Sequence, residues 1–168
     1  ALGATVGQSL PNWGPVAESG GRTVAMTNLY TDPDSEAASI EQARSVMCKA
    51  TADRVDPAPR FMTMSTVLHE AAHNLGPAHE YRVDGKTDGE VFGGPLASTL
   101  EELKAQTAAL YFSDWLAARG LLTKEDAQNS HLRDVLWAFG HIAAGMVDAQ
   151  GRPKPYSQLS AIQMGFLN

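Results

Sequence analysis

The pattern of apolar and polar residues predicts a mostly helical chain. Apolar residues recur at the three- and four-residue spacing of one helix face in five segments: residues 35–51, 61–75, 98–118, 124–147 and 156–167. Residues 23–29 alternate in character and predict a short strand. Residues 1–22 hold five glycines and two prolines without periodicity, so we expect an irregular segment there. The predicted fold class is mainly α, with a short strand region near the N-terminus.

Local signals set the expected ends of these helices. Ser98-Thr99-Leu100-Glu101 has the form of a capping box and predicts the start of a helix that ends before Gly120. Residues 76–97 are rich in glycine, proline and charge, and we expect a loop. In the preceding helix, the apolar stripe that is expected to face the core consists of Phe61, Met64, Leu68, Ala72 and Leu75.

Composition narrows the class of protein. A length of 168 residues suits one domain with its own core. The formal net charge of −6 argues against a nucleic-acid partner, which usually requires a basic face. No apolar run approaches 18 residues, so we expect no membrane span. The chain begins at Ala1 and ends at Asn168 without a polar tail, and we expect one catalytic domain (residues 1–168) from a longer polypeptide.

The segment His69-Glu70-Ala71-Ala72-His73 carries the strongest chemical signal. Two histidines four residues apart lie one helical turn apart on the same face, where both can reach one metal ion. Glu70 lies between them and can take a proton from a water that the metal activates, as in a metallopeptidase. The segment predicts a site for one Zn²⁺ ion, with His69 and His73 as ligands and Glu70 as the general base.

Two residues compete for the third ligand position. His79 completes the spacing HExxHxxGxxH, which would make the chain a metzincin endopeptidase. Glu102 is the alternative, because a carboxylate on a second helix packed against the motif can reach the same ion. Its neighbour Glu101 is assigned to the capping box. The two long helices predicted after residue 97 favour Glu102, since a metzincin needs a mostly irregular segment there.

Several stretches spread over the chain carry a family resemblance. They are Leu10-Pro11-Asn12-Trp13, Gly21-Arg22-Thr23-Val24, the motif continued as HEAAHNLGP, Glu101–Gln106 with Ala109-Leu110-Tyr111, Arg119-Gly120-Leu121-Leu122, and Gln163–Leu167. Together they resemble the dipeptidyl peptidase III family and its bacterial and plant relatives, although the founding members have one more residue between the two histidines. The resemblance implies the zinc-bearing helical part of a larger, two-lobed enzyme.

The resemblance also implies residue roles. In that family the second glutamate of the Glu-Glu pair binds zinc, which implies Glu102, and the motif glutamate is the catalytic base, which implies Glu70. The family's transition-state histidine aligns with Tyr156, which becomes a second catalytic candidate. An acidic residue that supports a zinc-bound histidine is replaced by Gln106, whose amide oxygen can accept the same bond without adding charge.

The predicted function is zinc-dependent hydrolysis of peptide bonds, with release of short units from the N-terminus of oligopeptides. The expected partners are a peptide substrate and the remainder of a longer polypeptide, with neither nucleic acid nor membrane. The resemblance favours a cytoplasmic location, with the periplasm as the alternative. Two other hypotheses stay open: a metzincin endopeptidase that uses His79, and a zinc-binding fragment without catalysis.

Overall fold

A computed structural model describes residues 7–10, 15–20, 22–75 and 82–167 of the chain. In chain order its elements are β1 (Gly7–Leu10), α1 (Pro15–Gly20), β2 (Arg22–Ala25), a 3-10 turn (Thr27–Leu29), α2 (Pro33–Val46), α3 (Lys49–Ala52), α4 (Pro59–His73), α5 (Asp88–Phe92), α6 (Gly94–Ala118), α7 (Lys124–Ala143) and α8 (Pro155–Leu167). The mainly α prediction is confirmed. Within the described ranges, none of the helices has the length and apolar character needed to cross a lipid bilayer.

The described residues of the N-terminal region contain more regular structure than the composition predicts. Strands β1 and β2 pair antiparallel, with Gly7 opposite Ala25 and Leu10 opposite Arg22. The prediction of an irregular segment over residues 1–22 is therefore wrong at β1 and at α1. Four-residue strands are stabilised by their partner rather than by their own pattern, which is why periodicity misses them. The strand predicted over 23–29 ends at Ala25 and gives way to the 3-10 turn.

Helix α6 begins a full turn earlier than the capping box predicts. Gly93 precedes it with a φ of 79°, a left-handed conformation that favours glycine, and a proline occupies the first turn. The assignment of Glu101 to a helix cap is therefore wrong, because Glu101 and Glu102 lie two turns inside the helix. The loop predicted over 76–97 is likewise interrupted by α5 and by the start of α6.

The remaining helix ends follow local chemistry. Helix α7 begins at Lys124 as the sequence predicts, with Thr123 and Asp126 forming a capping box before it, but it stops at Ala143 and not near residue 147. Helix α8 ends at Leu167 as expected. The single helix predicted over 35–51 is split into α2 and α3, because Met47 and Cys48 adopt extended backbone angles.

Helices α4 and α6 make the most extensive contact in the fold, and α7, β1 and β2 also pack against α4. Alanines lie between α4 and α6: Ala72, Ala105 and Ala109 are at most 1 % exposed. Their small side chains let the two helix backbones approach closely. Since Glu102 and Gln106 share one face of α6 with these alanines, the close approach brings both of them to the histidine face of α4.

The buried face of α4 differs from the predicted apolar stripe. Phe61 and Ala72 are buried as expected, but Leu75 is 50 % exposed and Met64 and Leu68 are only half-buried. The other buried residues of the helix are Ser65, His69 and Glu70. A polar face is buried here because each side chain has interaction partners on neighbouring elements.

Candidate metal centre

Three side chains from two helices converge at the contact between α4 and α6. His69 Nε2 lies 3.2 Å from His73 Nε2 and 3.2 Å from Glu102 Oε2, and the distance from His73 Nε2 to Glu102 Oε2 is 3.8 Å. The imidazole rings stand nearly perpendicular, at 82°. Among the described residues, this is the group of histidine, cysteine and acidic side chains whose geometry could hold a metal ion. The structure thus brings together the three residues that the sequence predicts as ligands.

The outer nitrogen of His69 is held by an amide. Its Nδ1 lies 3.0 Å from Gln106 Oε1, while Gln106 Nε2 donates to Asp134 Oδ1 at 3.4 Å. The carboxylate of Asp134 can only accept, which assigns the amide nitrogen to its side and the amide oxygen to the histidine. His69 therefore carries its proton on Nδ1 and donates it to Gln106. Its Nε2 presents a lone pair to the other ligand atoms.

The outer nitrogen of His73 is held by a carboxylate. Nδ1 of His73 donates to Glu101 Oε1 at 2.9 Å, and Lys104 Nζ lies 2.9 Å from the same oxygen. Burial acts to lower the pKa of His73, but the hydrogen bond to Glu101 and the charges of Glu102, Glu101 and Glu70 outweigh it and raise the pKa. In its neutral form His73 also turns a lone pair on Nε2 towards the centre of the group.

The chemistry of these atoms fits a bound cation. With both imidazoles neutral, two lone pairs and a carboxylate oxygen face one another, and none of the three atoms is a donor. A proton or a metal ion is required to offset their repulsion. Zinc bonds of 2.0–2.1 Å at tetrahedral angles would set neighbouring ligand atoms about 3.3 Å apart. The observed separations of 3.2, 3.2 and 3.8 Å are close to that value.

Glu102 is ionised in this setting. Burial acts to raise its pKa, but the contact with His69, the positive charge that His69 and His73 can carry, and a hydrogen bond from Tyr156 outweigh it and lower the pKa. An ionised carboxylate supplies the negative charge that zinc prefers in its ligand set.

Tyr156, the second catalytic candidate, stands at the start of α8 beside the ligand carboxylate. Burial, and then the charge of Glu102, raise the pKa of its phenol above the usual value, so that it keeps its proton at neutral pH. Its ring packs against Trp137 and His141, with centroids 5.8 and 5.5 Å away. These contacts hold a protonated hydroxyl next to the ligand group, where it can donate a hydrogen bond.

Glu70, the predicted base, is 7 % exposed and turns towards the two-stranded ribbon. A methyl group added at Gly7 would fall 2.6 Å from Glu70 Oε1 and 2.6 Å from the side chain of Thr66. The glycine therefore permits β1 to lie directly against the carboxylate. The charge of Glu70 also acts on His73 and on Tyr156, which places it in the electrostatic surroundings of the ligand group.

Some residues of the site escape sequence reasoning. Gly7 has no local signal, because its contact partner is 63 positions away and lies on another element. Asp134 has a weak one: it lies four residues after Ser130 and four before Ala138, on the buried face of α7. The sequence assigns Glu101 to a helix cap, whereas the structure places its carboxylate against His73. His79, the competing ligand, lies outside the described residues.

Comparison with known proteins supports the fold. No protein-family model matches the chain. Nudix hydrolase 3 from Arabidopsis thaliana is 26 % identical over 150 residues, which is 88 % of this chain and 19 % of that protein. The solved structure of DPP III from Caldithrix abyssi superposes with a TM-score of 0.77 at 20 % identity, and the match covers 97 % of this chain and 30 % of that one.

The chain has the fold of part of a dipeptidyl peptidase III, which confirms the predicted resemblance at the level of architecture. It spans about a fifth of the plant protein and just under a third of the solved peptidase. The expectation of a peptidase-like fold is therefore confirmed at this coarse level.

Proposed function

We propose that this chain is the zinc-binding core of a metallopeptidase. The observation that carries the proposal is the meeting of three atoms that can ligate a metal, from His69, His73 and Glu102, at separations of 3.2–3.8 Å. The likeness in fold to a dipeptidyl peptidase III supports the same assignment. Peptide-bond hydrolysis is the reaction class that this ligand set and an adjacent carboxylate serve best.

We assign a separate role to each side chain around the ligands. When bound, zinc would act as a Lewis acid that polarises a peptide carbonyl and activates water. Glu70 accepts the proton of the attacking water and returns it to the leaving amine. Tyr156 donates a hydrogen bond to the oxygen on which negative charge develops, a role that the position of its protonated hydroxyl beside Glu102 supports. Glu101 and Gln106 hold the two histidines through their outer nitrogens.

The substrate assignment follows the likeness to dipeptidyl peptidase III. We infer an oligopeptide from whose N-terminus short units are released. Because the chain covers just under a third of the solved peptidase, further parts of a longer polypeptide would complete the substrate-binding wall. The same coverage favours a second candidate function, in which this chain binds zinc but does not cleave peptides on its own.

Metal content with paired variants tests the ligand set. Glu102→Ala should abolish stoichiometric zinc binding, because it removes the charged ligand, while His79→Ala should leave the zinc content unchanged. The reverse pattern would identify a metzincin and overturn the assignment of Glu102. An anomalous X-ray map at the zinc edge would name the ion and its ligands in one measurement.

A second pair separates binding from catalysis. Glu70→Gln keeps the shape of the side chain but loses the base, so that zinc should stay bound while turnover falls by roughly 10²–10⁴-fold. Cleavage of an oligopeptide library by the zinc-loaded protein, followed by mass spectrometry, measures this. An unaltered chain that binds one zinc ion and cleaves no peptide would establish the non-catalytic alternative.

A further inference from the structure

We propose that Asp134 is a positioning residue of the metal centre, which fixes the orientation of the Gln106 amide and through it the tautomer of His69. This inference rests on the proposed function, since it assigns a supporting role around the same ligands. Asp134 lies on α7, Gln106 on α6 and His69 on α4, so the three residues link all three helices through one line of hydrogen bonds.

The geometry leaves Gln106 one orientation. Oδ1 of Asp134 accepts hydrogen bonds from Ser65 Oγ at 2.5 Å and from Gln106 Nε2 at 3.4 Å. Reversing the amide would set its oxygen against the carboxylate and its NH₂ group against the N–H of His69. The contact with the carboxylate would be repulsive whichever nitrogen of His69 carries the proton, so that Asp134 selects the observed orientation and the Gln106 oxygen then favours the proton on His69 Nδ1.

Burial makes this selection strong. Asp134 is 5 % exposed and Gln106 is also 5 % exposed. Water therefore does not compete for their polar atoms, and a reversed amide would lose its hydrogen bonds without replacement. Within the part of the chain that the structure describes, the Oδ2 atom of Asp134 is buried without a hydrogen-bond partner, an arrangement that costs stability.

A metal-bound histidine usually donates its second nitrogen to a carboxylate or a carbonyl, which fixes its tautomer and raises its basicity. Here the acceptor is a neutral amide, which can present either its oxygen or its nitrogen. Asp134 determines which of these two atoms faces His69. Its negative charge contacts the amide nitrogen of Gln106 and not the imidazole itself. Asp134 and Gln106 together therefore do what a single carboxylate does in a direct contact.

The first test removes the acceptor. Asp134→Leu should free the amide to reverse and weaken zinc binding by about 10–100-fold, the usual effect of losing an outer-shell partner, measured by competition with a chelator of known affinity. Ser130→Ala is the matched control, because Ser130 is fully buried one turn earlier on α7 and lies outside the line. It should leave zinc affinity unchanged.

A spectroscopic signature separates positioning from general damage. In the metal-free protein at pH 8, the ¹⁵N shifts of the His69 ring should report a proton on Nδ1 in the unaltered chain and a mixture of tautomers in Asp134→Leu. If the folded variant keeps both the single tautomer and the zinc affinity of the unaltered chain, the proposal is overturned.

A double variant keeps the test decisive even if Asp134→Leu does not fold. Gln106→Glu places two carboxylates side by side in a buried position and should weaken zinc binding and lower the melting temperature. Adding Asp134→Asn supplies an amide donor to the new carboxylate and should restore both. Absence of rescue would refute the proposal. If the unaltered chain binds no zinc, the proposed function fails, while the tautomer measurement still decides the role of Asp134.

Discussion

Helix α4 buries polar side chains on one face and exposes apolar side chains on the other. One face buries Ser65, His69 and Glu70 against α6, α7 and the ribbon, although all three side chains are polar. The other presents apolar side chains to an open groove of about 550 Å³, lined among others by Met64, Val67 and Leu68. Val67 is 42 % exposed, whereas His69, two residues later, is 8 % exposed.

The difference shows that burial in this helix follows the supply of partners rather than hydropathy. Polar side chains enter the interior where an acceptor or donor meets them, as Asp134 meets Ser65 and Gln106 meets His69. Burying such groups costs more than burying apolar ones of the same size. The burial of these polar groups, with Val67 left outside, agrees with the metal centre that we propose on the buried face.

Removal of a ligand should give the largest contrast between the two faces. Structural zinc sites bind with about 10–16 kcal/mol over four ligands, so one ligand contributes roughly 10²–10³-fold in affinity. We expect His73→Ala to weaken zinc binding by that amount in a chelator competition. His131→Ala, whose ring contacts Asp114 instead, should bind zinc as the unaltered chain does. Equal loss in both variants would mean that the histidines act through the fold and not at the metal.

The buried carboxyl of Asp134, which accepts a hydrogen bond from Ser65 on α4, should make the stability of the protein depend on pH. Burial raises the pKa of Asp134 from 3.8 to about 6. Because the ionised form is disfavoured in the folded state, the metal-free protein should lose roughly 2–3 kcal/mol of stability from this group as pH rises from 4 to 7. The Asp134→Asn variant has no carboxyl group at this position, so this loss of stability should be absent from it.

Urea unfolding of the two metal-free proteins measures this effect. The free energy of unfolding of Asp134→Asn, relative to that of the unaltered chain, should rise by roughly 2–3 kcal/mol between pH 4 and pH 7. A difference in stability that does not change with pH would show that the Asp134 carboxyl is better solvated than its 5 % exposure indicates.

Gly7 offers a smaller perturbation of the same face. Gly7→Ala would place a methyl group 2.6 Å from Glu70 Oε1, so that β1 must move away from α4, at a cost of about 1–2 kcal/mol in the free energy of unfolding. Gly165→Ala is the control, since a methyl group there meets nothing within 4 Å and should be neutral or slightly stabilising. A neutral Gly7→Ala would mean that the ribbon does not lie against Glu70.

The outer face should give the smallest effect. Val67→Ser changes an exposed side chain at the groove and should alter both zinc affinity and the free energy of unfolding by no more than about 0.5 kcal/mol. Thermal melting and chelator competition check the two quantities. A loss of zinc binding here would contradict the division of α4 into two independent faces.

The sequence predicts the ligand group because its signal is local. His69 and His73 are four residues apart on one predicted helix, whereas the choice of Glu102 over His79 and Glu101 depends on the family resemblance as well, because the capping-box argument about Glu101 is wrong. What the sequence misses depends on contacts between distant segments. The pairing of β1 with β2, the approach of Gly7 to Glu70 and the bond from Ser65 to Asp134 join residues with no shared periodicity. The false helix cap at Ser98 shows the opposite error, since a valid local signal was overridden by Gly93 and the proline that follows it.

The two ligand helices are far apart in the chain, with His69 and Glu102 separated by 33 residues. An ion held by both would therefore act as a cross-link that closes a long loop, much as a disulfide does. In the unfolded chain that loop is open, so that metal affinity becomes part of the free energy of folding. Chelation should then loosen the packing of α4 against α6 first, and reloading should restore it together with the ligand set.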